Sequence, residues 1–154
     1  MQPVNNKNRP KAQLGVGLIE ILIAVLILSI GFLGIAALQA KSLSTNNSAM
    51  ARSMATVASY SILDAMRADR TNALAGGYKG TVTANACPAS GTLAQSQISQ
   101  WCADLGQALG ATATTTGNVN CSATGDCTIT IQFDDSRAGA GGSSTQQVIT
   151  KAML

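Results

Sequence analysis

The sequence predicts an α+β protein in which a long N-terminal α-helix packs on a small antiparallel sheet head. Three observations carry this prediction. Residues 21–38 are eighteen consecutive uncharged and mostly apolar side chains. Past them, apolar residues recur at helical rather than strand spacing. From residue 76 onward the chain turns to Gly, Thr, Ser and Ala, with one cleanly alternating stretch and all four cysteines. A chain of 154 residues has room for one small domain and one accessory element.

At 1.5 Å rise per residue the apolar run makes roughly 27 Å of helix, close to the ~30 Å hydrocarbon core of a bilayer. The competing reading is the buried core helix of a soluble domain. A run this long, apolar on every side in so small a chain, argues against it. Lys7, Arg9 and Lys11 precede the run, so the N-terminus is expected to stay cytoplasmic and the chain after Lys41 to cross. A cleaved secretory signal has a shorter apolar region, about 7–15 residues, and small residues at its cut site. Here the nearest cut-site look-alike, Leu38-Gln39-Ala40, puts a bulky Leu where a small residue is needed. Glu20 sits at the head of the run; a carboxylate inside a bilayer costs on the order of a few kcal/mol, which makes it a functional candidate. Its alternative is a plain interfacial Glu at a helix end.

Charge and composition narrow the function. The formal charge is +3, from ten basic and seven acidic residues, but three of the basic ones lie in the first eleven positions. Beyond residue 15 the charges balance at seven each. That remainder lacks the clustered Lys/Arg and stacking aromatics of a nucleic-acid groove, so no nucleic-acid partner is expected. With no His in the chain, Ser-His and Cys-His catalytic pairs are impossible, and no cofactor or enzymatic activity is expected. Asp134 and Asp135 are adjacent, so on a strand they point to opposite faces and are expected to open a turn rather than hold a metal.

Residues 15–20, Gly-Val-Gly-Leu-Ile-Glu, followed by Ile-Leu-Ile-Ala-Val-Leu, resemble the processing motif of type IV prepilins and pseudopilins. The resemblance implies that prepilin peptidase cuts after Gly15, that Val16 becomes the N-methylated new N-terminus, and that Glu20, fifth from Val16, serves in subunit docking. Val16 stands where Phe is commonest in the family, and Gly17 where Thr is common. Chemistry supplies a reason for the spacing. Cleavage frees an α-amino group, with an ordinary pKa of about 7.7–8.0, that is mostly positive at neutral pH. Glu20 lies roughly 6 Å further along a helix, so a staggered neighbour's amine can meet it and two costly buried charges are paired.

Further stretches, SIGFLGIAALQ at 29–39, DAMRADR at 64–70, Gln100-Trp101 and TITIQFDD at 128–135, resemble minor pilins more narrowly. That likeness implies a type IV pilin-like fold and a minor pilin that takes part in pilus assembly or priming, motility and adhesion. Implied partners are other minor pilins, the major pilin, the inner-membrane assembly machinery, a tip adhesin, and membrane lipid before assembly. The location implied is the inner membrane, with the head periplasmic, and then the pilus fibre or tip. The runners-up are a minor pseudopilin of a type II secretion system and a signal-anchored periplasmic binding module.

The expected organisation is a leader at 1–15 that is removed, a transmembrane and filament-core helix at 16–40, an amphipathic stem at 41–75, and a head at 76–154. Leu43, Met50, Met54, Val57, Ile62 and Met66 form the apolar side of the stem, expected to pack on the head's sheet; a sticky interaction surface is the alternative. Gly76-Gly77 is expected to end the helix. Gly31 and Gly34 either let helices approach closely or soften the helix. Asp64, Arg67, Asp69 and Arg70 form a charged patch near the stem's end, by default a solvated face. In the head, Ile98, Trp101, Cys102, Leu105 and Leu109 mark one face of a short helix closed by Gly110. Residues 128–133 alternate as a strand, 148–150 are a second, and 110–117 are expected to be a loop.

Cys87, Cys102, Cys121 and Cys127 all fall on the side expected to be periplasmic, where disulfides form. Three connectivities are possible. Proximity favours Cys87–Cys102 and Cys121–Cys127, each closing a short loop worth about 2–3 kcal/mol in the chain-entropy model. No metal site is expected, for want of a C-x₂-C pair or any His.

Overall fold

The computed structural model describes Gly15 and residues 17–154, with Ala140 described by its backbone alone. It is α+β: a long N-terminal helix, α1 (Leu18–Ala68), followed by α2 (Arg70–Leu74), β1 (Gly80–Thr83), α3 (Leu93–Leu109), β2 (Thr116–Cys121), β3 (Asp126–Phe133), a 3-10 strap (Ser136–Gly141) and β4 (Gln146–Met153). The chain divides into two compact units, the first ending at Ala40 and the second spanning Lys41–Leu154.

In the first unit every described residue is exposed. The helix is unbroken at Gly31 and Gly34, and a Cβ added at either would meet nothing within 4 Å. Large side chains such as Leu18 and Leu33 stand 82% and 72% open. Such an uncovered apolar surface marks a site of contact with membrane or with other protein.

The second unit is a four-stranded sheet of order β1-β2-β3-β4, antiparallel throughout. Its inner face presents Val82, Val119, Cys127, Ile129, Ile131 and Phe133 to Ile62, Leu63 and Met66 of α1 and to Trp101, Cys102 and Leu105 of α3. The outer face is largely polar: Thr81, Asn118 and Thr130 form a row that ends on the exposed Ile149 of β4, and Thr83, Thr116, Gln132 and Gln147 form another across all four strands. β3 alternates from exposed Asp126 to buried Phe133, the period of a half-buried strand.

The helix expected to run to residue 75 breaks at Asp69, whose backbone leaves the helical region (φ −120°, ψ 48°). Its carboxylate accepts from Asn72 Nδ2 at 2.9 and 3.0 Å and from Tyr78 Oη at 3.2 Å, local bonds that compete with helix continuation. Gly76, with φ +86°, then turns the chain out of α2 in the left-handed conformation that glycine tolerates.

The apolar side of the stem is corrected by the structure. Ile62 and Met66 are buried, but Leu43, Met50, Met54 and Val57 remain 65%, 59%, 38% and 62% exposed. The first part of the stem meets the head through small residues instead: Ser48, Ala51, Ala55, Ala58 and Ser59. At 100° per residue, positions 43, 50, 54 and 57 form a single stripe, and Ala55, Ser59 and Met66 lie on the far side of the helix. Small side chains there let the backbone come close enough for Trp101 Nε1 to donate to the Ala58 carbonyl at 2.9 Å.

A second correction concerns 110–117, where Thr116 and Gly117 are strand residues of β2 rather than loop. Gly117 is buried because Trp101 and Leu105 occupy the space its side chain would need; an added Cβ would lie 2.7 Å from Leu105 Cδ1. α3 begins earlier than its apolar spacing indicates. Thr92 caps it in a reciprocal box with Gln95: the Gln95 amide donates to Thr92 Oγ1 at 3.3 Å and the Thr92 amide to Gln95 Oε1 at 3.0 Å. Gly110 closes it, with φ +101°.

Candidate processing and docking site

The N-terminal site is simple in geometry. Gly15 is exposed and a Cβ there would meet nothing within 4 Å; Val16 and the leader lie outside the described residues. Glu20 occupies the first turn of α1, and its amide donates to the Gly17 carbonyl at 2.9 Å. A carboxylate at this end of a helix complements the helix dipole. Glu20 is exposed, with no hydrogen bond or ion pair to its side chain among the described residues, and shares one helix side with Ala24 and Leu28.

The cysteines pair as Cys87–Cys102, with Cα atoms 5.6 Å apart, and Cys121–Cys127, 4.0 Å apart. The first ties the segment after β1 to the buried face of α3. The second closes the β2–β3 hairpin across a directly opposed pair. The charged patch divides among separate partners: Arg67 donates to Asp64 at 2.8 Å, Asp69 serves Asn72 and Tyr78, and Arg70 reaches the Leu154 carbonyl at 3.4 Å.

Residues 10–36 match the prokaryotic N-terminal methylation motif. The match supports a type IV prepilin-like chain, and the α+β frame is consistent with a type IV pilin-like fold. Comparison with curated proteins and with solved structures gives no match.

Three stem residues that sequence reasoning passed over, Ser44, Ser48 and Arg52, hold the 3-10 strap to the stem. Asp135, only 6% exposed, accepts from Ser48 Oγ at 2.5 Å and from Arg52 Nη2 at 3.4 Å. Arg52 Nη2 also donates to the Gly141 carbonyl at 3.1 Å, and Ser44 Oγ to the Arg137 carbonyl at 2.6 Å. The turn expected at Asp134-Asp135 is present: Asp134 is exposed and accepts from the Ser136 amide at 2.9 Å, a bond that holds its carboxyl below the usual range. Asp135 differs from its neighbour because it faces inward. The available signal was Ser48 and Arg52 at i, i+4, polar residues on the side of the stem that also carries Ala55 and Ser59. Hydrogen bonds to a charged group contribute about 1.5–3 kcal/mol, so Asp135→Ala is expected to destabilise the strap by about 2 kcal/mol. Hydrogen exchange should then quicken at the Asp135 and Gly142 amides, with β2 and β3 unchanged; unchanged strap protection would refute the latch.

Tyr78 is a second buried polar contact. Burial, and then the Asp69 carboxylate beside its hydroxyl, push its pKa from 10.0 up to about 12. The folded state thus favours the neutral phenol. This contribution is whole below pH 10 and is lost as pH rises through about 12. Denaturant titrations between pH 8 and 12 should show stability falling in that window, and Tyr78→Phe should flatten the fall. Equal slopes for both proteins would show that the phenol is not the group responsible.

Proposed function

We propose that this chain is a minor pilin of the PilV kind, a structural subunit rather than an enzyme. Prepilin peptidase removes residues 1–15, Val16 is N-methylated, and Glu20 receives the N-terminal amine of a neighbouring subunit. The helix first holds the chain in the inner membrane with the head periplasmic, then enters a pilus-type filament or its tip. Partners are other minor pilins, the major pilin and the assembly machinery, with a tip adhesin on the same assembly. Motility and adhesion follow from the filament.

The observation that carries this reading is the methylation-motif match at residues 10–36, laid on a helix whose apolar side chains are uncovered. The exposed stripe of Leu43, Met50, Met54 and Val57 supports it, since it offers a neighbouring helix an apolar side beyond the membrane segment. The motif serves a type II secretion pseudopilin equally well. A deletion strain separates the two: loss of surface pili with intact exoprotein secretion is expected, and loss of secretion with intact pili would replace the pilus reading by the pseudopilin. A photo-crosslinker at Met54 should capture pilin subunits. Its failure to join any subunit in piliated cells would favour a signal-anchored binding module.

A further inference from the structure

We propose that the head carries a binding site for the phosphate headgroup of an anionic phospholipid, set between the first turns of the stem and the 3-10 strap. A cavity of about 300 Å³ lies there, lined by Lys41, Thr45, Ser48 and Arg52 of α1 and by Ala138 and Gly141 of the strap. Two cations face it. Arg52 spends Nη2 on Asp135, Gly141 and Gln146, while its Nη1 and Nε make no bond among the described residues. The Lys41 ammonium has no hydrogen-bond or ion-pair partner among the described residues, and it lies against the strap, 3.6 Å from where a Cβ on Gly139 would sit. The acidic group at this wall, Asp135, is already held by Ser48 and Arg52, so the cavity keeps a positive balance.

Position in the chain selects the ligand. Lys41 is the first charged residue after the uncharged stretch 21–40. If that stretch spans the bilayer, as the proposed function requires and as this inference assumes, Lys41 stands at headgroup level, where a phosphodiester is the abundant anion. Arg137, exposed on the strap, is offset by Asp134, which lines the same neighbouring hollow, so Lys41 is the cation left unbalanced at this end of the head.

The test floats the full chain with vesicles of phosphatidylcholine, with and without phosphatidylglycerol, and then weighs the detergent-extracted protein with its retained lipids by native mass spectrometry. Flotation with both compositions is expected, with phosphatidylglycerol retained about five-fold over phosphatidylcholine, the effect of one cation near an anionic headgroup. Lys41→Gln should bring the ratio to parity, and Lys79→Gln, on the head near β1, should leave it unchanged. Equal retention of both lipids by the wild type, or a preference that survives Lys41→Gln, overturns the site while the membrane reading stands. Loss of the preference in millimolar inorganic phosphate assigns the pocket to a free anion and overturns the lipid proposal. Failure to float with either vesicle removes the membrane reading and this proposal together.

Discussion

Replacing Trp101 by alanine is expected to destabilise the head by about 3–5 kcal/mol, at the top of the range for a core substitution. Trp101 is 3% exposed, fills the space over Gly117, and ties α3 to α1 through its indole N–H on the Ala58 carbonyl. Truncation removes the packed ring and the hydrogen bond together. Gly117→Val approaches the same contact from the other side, forcing a branched side chain against Trp101 and Leu105, at a cost of about 1–3 kcal/mol. The two changes are expected not to add. With the indole gone there is room for the valine, so the double variant should recover about 1 kcal/mol or more relative to the sum, within the range for residues in contact. Denaturant unfolding of the four proteins measures this, and strict additivity would mean that Gly117 is small for some other reason.

The second large effect concerns Glu20. If its carboxylate receives a neighbour's N-terminal amine, Glu20→Ala leaves that amine buried without a partner, a loss of roughly 3–5 kcal/mol. Incorporation into filaments should fall by about two orders of magnitude or more, while the variant still reaches the membrane and still loses its leader. Glu20→Gln should fall by less, because an amide oxygen still accepts a hydrogen bond. Quantitative blotting of sheared filaments against the membrane fraction reads both. Wild-type incorporation of Glu20→Ala would remove the docking role and leave an interfacial glutamate.

Much of the fold was legible because it is written in long or strict periods. An eighteen-residue uncharged run admits few structures, and β3 alternates without a fault over its whole length. What escaped was written in small residues. Ser48, Ala55 and Ser59 are the buried side of the stem, yet a hydrophobicity pattern passes over them and selects Met50, Met54 and Val57, which face outward. Close approach of two elements demands small side chains, so the tightest contact is the least hydrophobic. Gly117 misled in the same way: it reads as a loop residue until Trp101, sixteen positions earlier, claims its side-chain volume. Asp135 could not be told from Asp134 because only the tertiary fold turns one of them toward Ser48. At the N-terminal site the order of Gly15, Val16 and Glu20 could be compared with a known processing motif because the three residues are close in sequence. The partner proposed for Glu20 belongs to another molecule, and no reading of one chain supplies it.

The measurement that bears most directly on the central claim is the mass of the mature N-terminus. Membrane protein from the native host, with and without its prepilin peptidase, is analysed intact and as N-terminal peptides. The account predicts a peptidase-dependent terminus at Val16 carrying one methyl group, with residues 1–15 absent. A leader retained in both strains would contradict it and leave an uncleaved, signal-anchored protein in its place.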